Sequence, residues 1–213
     1  MNLRILLLSC YSKGDLKSKK EGNALRIIAG DFKGNRIQAV PNQLTRPTGD
    51  KVKESLFQMI GPFFDGGICL DLFAGSGALA IEAISRGMNK AILVDKQPKA
   101  ISIIHQNVSH LHIQDKVEIY RNDAFRALKA LQKRALQFDT IFLDPPYHKV
   151  SYDKLLQGIS STDIVTENGL IICEHDPNIR MEDSYEGYHI WKHEVYNTTT
   201  AITIFKKGVK DDD

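Results

Sequence analysis

Four aspartates stand at or just past the ends of short apolar runs. Asp71 closes Ile68-Cys69-Leu70, Asp95 follows Ala91-Ile92-Leu93-Val94, Asp123 comes two residues after the run ending in Tyr120 and Arg121, and Asp144 follows Thr140-Ile141-Phe142-Leu143. A carboxylate beside buried strands is costly unless something donates to it. Acids at corresponding ends of successive strands therefore point to one ligand rich in donors. Helix capping is the competing role, since a first turn leaves N–H groups that Asp accepts well. For Asp123 that role is nearly as good a fit as ligand binding.

Asp144-Pro145-Pro146-Tyr147 is the most specific of these groupings. Two prolines fix φ and hold the backbone extended. The Asp144 carboxylate and the Pro145 carbonyl then aim at one point, where they can accept both protons of a planar exocyclic NH₂ group. Tyr147 can stack on the base carrying that group. The second grouping is Asp71-Leu72-Phe73-Ala74-Gly75-Ser76-Gly77. Gly75 and Gly77 allow a sharp turn and a close backbone approach to a ligand. Such a loop also serves dinucleotide sites. Here an acid precedes the glycines, Ala80 replaces the third glycine of the dinucleotide fingerprint, and no substrate domain for hydride transfer follows. Asp95 lies 18 residues beyond Gly77, where a carboxylate can accept from both ribose hydroxyls.

The elements that must hold these residues alternate. Apolar runs at 68–72, 91–94, 117–120, 140–143 and 170–173 are separated by stretches of helical spacing: 78–86, a helix opened by Pro98 with Ile101, Ile104, Val108 and Leu111, one with Phe125, Leu128 and Leu131, and one with Tyr152, Leu155, Leu156 and Ile159. That order predicts an α/β fold whose mostly parallel sheet is covered by helices on both faces. His189–Tyr196 and Thr200–Phe205 have no helix between them and predict antiparallel hairpin strands at one edge. Upstream, 25–28 and 36–40 flank Gly30-Asp31-Phe32-Lys33-Gly34 as a small hairpin, and Arg46-Pro47-Thr48 leads into a helix stopped by Gly61-Pro62. The expected division is an extension at 1–23, disordered and outside any fold; a hairpin-and-helix appendage at 24–62; the main domain at 63–208; and a tail at 209–213.

The 213 residues are 42% hydrophobic and 25% charged, the mix of a folded domain with a sizeable core. Cys10, Cys69 and Cys173 contain no CxxC pair, which excludes a cysteine-built zinc site and suits a reducing cytoplasm. The seven histidines form no metal pattern, and His148 reads as a loop residue. Ile5-Leu6-Leu7-Leu8 is too short for the apolar segment of a signal peptide. Charge is uneven: residues 1–60 hold 11 Lys+Arg against 5 Asp+Glu, the rest 17 against 21. A basic front end favours a polyanionic partner there, with Arg26, Lys33, Arg36, Arg46, Lys51 and Lys53 as candidate phosphate contacts.

The set Asp71–Gly77, Asp95, Asn122-Asp123 and Asp144–Tyr147 resembles the Rossmann-like S-adenosylmethionine-dependent methyltransferases. Its Asp-Pro-Pro-Tyr motif is similar to that of the enzymes methylating exocyclic nitrogens of bases. With Arg26-Ile27-Ile28-Ala29-Gly30, Lys33-Gly34, Arg46-Pro47-Thr48 and Lys51-Val52-Lys53-Glu54-Ser55-Leu56-Phe57, residues 25 to about 207 resemble the RsmD family. The resemblance implies transfer of a methyl group from S-adenosylmethionine to N2 of a guanine in bacterial small-subunit (16S) rRNA. It implies Asp144, Pro145, Pro146 and Tyr147 at the reacting amine, and Asp71, Ala74, Gly75, Gly77, Asp95, Asn122 and Asp123 around the cofactor. No cysteine lies in these motifs, against a covalent C5-pyrimidine mechanism. The rivals are an adenine-N6 methyltransferase, disfavoured by the lack of a large target-recognition domain, and a non-catalytic RNA-binding module, disfavoured by the intact motifs.

Overall fold

In the computed structural model, residues 24–41, 49–146 and 150–208 are described. The expected extension at 1–23, the tail at 209–213, Cys10, Arg46, Tyr147 and His148 lie outside them.

A small hairpin comes first, β1 (Ala24–Arg26) against β2 (Arg36–Gln38), followed by α1 (Asp50–Ile60). The chain then alternates through β3 (Ile68–Asp71), α2 (Ala78–Ser85), β4 (Lys90–Asp95), α3 (Pro98–His110), β5 (Val117–Arg121), α4 (Ala124–Lys133), β6 (Phe138–Leu143), α5 (Tyr152–Ser160) and β7 (Val165–His175). It ends in β8 (Ser184–Tyr185), β9 (Tyr188–Asn197) and β10 (Thr200–Lys207). The eight-stranded sheet runs β5-β4-β3-β6-β7-β10-β9-β8. Pairs from β5 to β7 are parallel, and β7, β10, β9 and β8 are joined antiparallel. This is the mostly parallel α/β sheet the alternation predicts, in the Rossmann-like form the resemblance implies. Among the described residues no helix is long and apolar enough to cross a membrane.

Strand alternation divides the core. On one face Cys69, Leu93, Phe142 and Ile172 pack with α2, α3, Leu56 and Phe57 of α1, and Ile27 and Ile37 of the hairpin. On the other, Leu70, Ile92, Ile141 and Ile171 pack with α4 and α5. The hairpin and α1 therefore share the main core. Phe57 reaches the sheet itself, with its ring centroid 6.1 Å from that of Phe142.

Two elements differ from the sequence expectation. The strand expected at 170–173 begins at Val165, because β7 carries Asn168-Gly169 within it across a register shift against β6. A Cβ at Gly169 would lie 2.4 Å from Val165 Cγ1, so the residue is a close-approach position. The two-residue β8 was too short to show any periodicity.

One predicted role is overturned here. Lys53 was expected to contact phosphate, but it is only 2% exposed. Its Nζ donates to the Arg26 carbonyl at 2.5 Å and lies 3.2 Å from Glu82 Oε2. Helical spacing explains this: Lys53, Leu56 and Phe57 share the buried face of α1, whereas Lys51 is exposed. Glu82 is the centre of the cluster. Its oxygens accept from the Ile28 and Ala29 N–H groups at 2.9 and 3.0 Å, and Arg86 Nε donates to Oε1 at 2.8 Å. Arg86 also donates to the Pro62 carbonyl at 2.9 Å and lies over the Phe57 ring. The buried charges are thus paired and hydrogen-bonded, as burial demands, and they clamp hairpin and α1 onto α2.

Candidate active site

The strand order reverses between β3 and β6, since the chain winds from β3 out to β5 and returns to β6 on β3's other side. Ligands of open α/β sheets bind outside the carboxyl ends at such a point. Asp71 and Asp144 stand on either side of it. Asp71 pairs with Phe142, and Leu143 pairs with Cys173, so Asp144 and Glu174 extend adjacent strands two residues beyond the level of Asp71. Cys69, Leu93, Phe142 and Ile172 face one side of the sheet. Two residues on, Asp71, Asp95, Asp144 and Glu174 share that face.

The crowding shows at Asp71 and Asp144. Burial first, then the Asp95 charge, raises the Asp71 carboxyl to about 7, against the opposing donation from the Phe73 N–H at 3.3 Å. Burial, then Glu174, then Asp71 holds Asp144 well above the ordinary carboxylate range. Clustered carboxylates disfavour one another's charge unless a cation joins them. Glu174 is the residue that sequence reasoning passed over, although it carries the same signal, an acid at the end of an apolar strand. It is 5% exposed. The Tyr152 hydroxyl donates to its carbonyl and anchors α5 to this rim.

The glycine loop follows Asp71. Gly75 and Gly77 have φ of +54° and +81°, which explains the residue type. A Cβ at Gly77 would also stand 2.9 Å from Leu93 Cδ2. Ala74 N–H donates to the Val94 carbonyl at 3.0 Å, and Gly77 N–H to the Ala74 carbonyl at 2.6 Å. Asp95 accepts from Gly75 N–H at 3.0 Å through Oδ2 and from Gln97 N–H at 2.8 Å through Oδ1. It therefore ties β4 to the loop while each oxygen keeps a lone pair for a ligand. The half-buried Asn122 sits beside it, its N–H donating to the Asp95 carbonyl at 3.1 Å. Asp123 is exposed and caps α4, accepting from Phe125 and Arg126 N–H at 3.0 and 3.4 Å. The capping role is thus present at Asp123, and Asp71, Asp95 and Asp144 form the crowded group.

Pro145 is buried and Pro146 half-buried behind Asp144. Phe57 packs on Phe142, the residue two before Asp144, so α1 supports the strand that aims the carboxylate. Arg26, Lys33, Arg36 and Lys51 are exposed on the hairpin and the start of α1. Arg26 donates to Asp50 at 2.9 Å. Cys69 and Cys173 are buried, and burial pushes both thiols up, away from reactivity. Among the described residues no cluster of His, Cys, Asp or Glu is arranged to hold a metal ion.

Comparison with known proteins agrees with this architecture. The family model described as "Conserved hypothetical protein 95" matches residues 25–206. A Bacillus subtilis protein named "Putative rRNA methyltransferase YlbH" is 45% identical over 86% of this chain and 99% of its own. Ribosomal RNA small subunit methyltransferase D of Buchnera aphidicola is 33% identical over 74% of this chain and 81% of its own. A solved structure of a conserved hypothetical protein from Streptococcus pyogenes is 36% identical, with a TM-score of 0.69 over 74% of this chain and 96% of that one. With a family model and relatives matching over most of its length, the chain belongs to the family of conserved hypothetical protein 95 and small-subunit rRNA methyltransferase D, the RsmD family.

Proposed function

We propose that this chain transfers the methyl group of S-adenosylmethionine to the exocyclic N2 of a guanine in bacterial small-subunit (16S) rRNA. The observation that carries the reading is Asp144 at the carboxyl end of β6, beside Asp71 across the switch point and backed by two prolines. The names borne by the relatives support the rRNA substrate.

The residues present fit the cofactor. A cationic ligand relieves the crowding of Asp71, Asp95, Asp144 and Glu174, and the left-handed glycines leave the loop backbone open to close approach. Asp71, Ala74, Gly75, Gly77 and Asp95 would hold it, with Asn122 and Asp123 at the margin. When bound, S-adenosylmethionine supplies a methyl group on a positively charged sulfur, so no metal is needed for its departure.

The chain's own task is to make a poor nucleophile react. A guanine N2 lone pair is delocalised into the ring. The Asp144 carboxylate and the Pro145 carbonyl accept from the two N2 protons, hold the nitrogen in place and concentrate its lone pair toward the methyl carbon. So held, the nitrogen would be placed to take the methyl group the cofactor supplies, the sulfur keeping the bonding pair. The nitrogen then sheds a proton. Asp144, whose surroundings favour its protonated form, is a suitable acceptor. Placement and electrostatic complementarity supply most of the acceleration. Tyr147 stacks on the guanine.

The test is transfer of a labelled methyl group to 16S rRNA, assembled small subunits and DNA in parallel, with nucleoside analysis. N2-methylguanosine from one of the RNA substrates is the expected product. Label in N6-methyladenine would overturn the base assignment and keep the chemistry. No transfer to any substrate would favour a binding module.

A further inference from the structure

Asn107 lies on α3, outside every motif named so far, and its side chain is 1% exposed. Its Oδ1 accepts from the Gln38 N–H at 2.8 Å and its Nδ2 donates to the Gln38 carbonyl at 3.0 Å. The amide thus pairs with the last residue of β2 as a neighbouring strand would. The same Nδ2 donates to the Ser76 carbonyl at 2.9 Å. Ser76 lies between Gly75 and Gly77, so one side chain grips both the loop assigned to the cofactor and the hairpin assigned to RNA.

The fold gives this bridge leverage. Arg36, an exposed candidate phosphate contact, is two residues before Gln38 on the same three-residue strand. The hairpin is also bonded to α2 through Glu82 and Ser85, at the middle and last residue of that helix rather than at the loop. Only the Asn107 bridge, among the hydrogen bonds of the described residues, joins the glycine loop itself to the hairpin. A buried amide with both ends occupied cannot follow one partner without straining its bond to the other.

We infer that Asn107 is a positioning residue that couples the two sites, so that filling the cofactor loop tightens the grip of the hairpin on RNA, and RNA in turn tightens the grip on the cofactor. The inference rests on the cofactor and RNA assignments proposed above. Reciprocity follows from thermodynamic linkage, and couplings of this kind amount to about fivefold or more.

Hydrogen exchange on the full native chain tests it without any substitution. Saturating S-adenosylhomocysteine, the demethylated product, should slow exchange in peptides covering 71–77 and also in those covering 36–40. α5, on the opposite face of the sheet, serves as the reference for general stabilisation. Protection of 71–77 without 36–40, beyond that reference, would overturn the coupling and leave the cofactor assignment standing. Protection of neither would remove the cofactor assignment and the coupling with it. Asn107→Leu, which keeps the volume and deletes the polar bridge, supplies the second readout. In the wild type, 16S rRNA should bind about fivefold or more tightly when the product is present. In the folded variant that ratio should fall to about one, with 71–77 still protected. An undiminished ratio in Asn107→Leu would sink the role given to this residue. If that variant does not fold, the exchange result on the native chain decides alone.

Discussion

At the scale of single residues, the site is a set of carboxylates gathered on one sheet face at neighbouring strand ends. Asp144→Asn preserves shape but turns one acceptor into a donor NH₂ that faces the target's own protons. Methyl transfer measured on the rRNA substrate should fall by at least ~10²-fold, while calorimetry should find cofactor affinity changed far less. A wild-type rate in this variant would contradict the mechanism. Asp71 gives a prediction about pH. Its carboxyl is raised from 3.8 to about 7 by the fold, so folding favours the protonated form. The associated stability is fully present below pH 3.8 and is lost as pH rises through about 7. Asp71→Asn cannot titrate. Denaturant melts of the ligand-free chain should therefore show the variant gaining on the wild type between pH 4 and 7, to a plateau on the order of 4 kcal/mol. Parallel pH profiles for the two proteins would show that Asp71 is not so perturbed.

At the scale of elements, the buried triad of Glu82, Lys53 and Arg86 fixes how the hairpin and α1 sit on α2. Glu82→Ala would leave two buried cations and the Ile28 and Ala29 N–H groups without their acceptor. It should destabilise the fold by about 3–5 kcal/mol in a denaturant melt. Arg26→Ala breaks an ion pair whose side chains are 60% and 44% exposed and should cost less than about 1 kcal/mol. Equal effects would mean that the triad is not what clamps these elements together. The triad also marks where sequence reading stops. Helix and strand identity was legible, because period and caps are local: Pro98 opens α3, and Gly87 (φ +115°) follows the end of α2. Strand-end acids were legible because a strand's end fixes where its next residue sits. Lys53 was misread because a lysine's exposure depends on a partner 29 residues away. Asn107 was invisible, since an amide on a helix has no local signature when both of its partners are backbone atoms of distant loops and strands. The early start of β7 was missed because the pairing of Val165 with Phe138 of β6, across a register shift, has no local apolar signal.

At the scale of the whole molecule, charge and architecture combine. The first 60 residues carry the excess of basic side chains. The hairpin and α1 that hold part of that excess are clamped to the catalytic sheet through a shared core. On the proposed reading, RNA would meet exposed cations carried on the same packed body as Asp144. With Lys53 withdrawn to the interior, Lys33, Arg36 and Lys51 are the exposed cations on which to test this, and Arg26 shares its charge with Asp50. Each phosphate contact releases condensed counterions and adds about 0.7 to the slope of log affinity against log salt for single-stranded RNA. Lys33→Gln with Lys51→Gln should therefore weaken 16S rRNA binding at low salt and flatten that slope by roughly 1.4. Binding of S-adenosylhomocysteine should not change, because no hydrogen bond or ion pair among the described residues joins either lysine to the glycine loop. A Lys53→Gln chain should behave oppositely: its melt should shift down, and the salt slope of the folded fraction should stay that of the wild type. Fluorescence titrations of the three proteins over a salt series would separate the outcomes. A slope unchanged in the double variant, or flattened in Lys53→Gln, would mean that this basic face is not where the RNA lies.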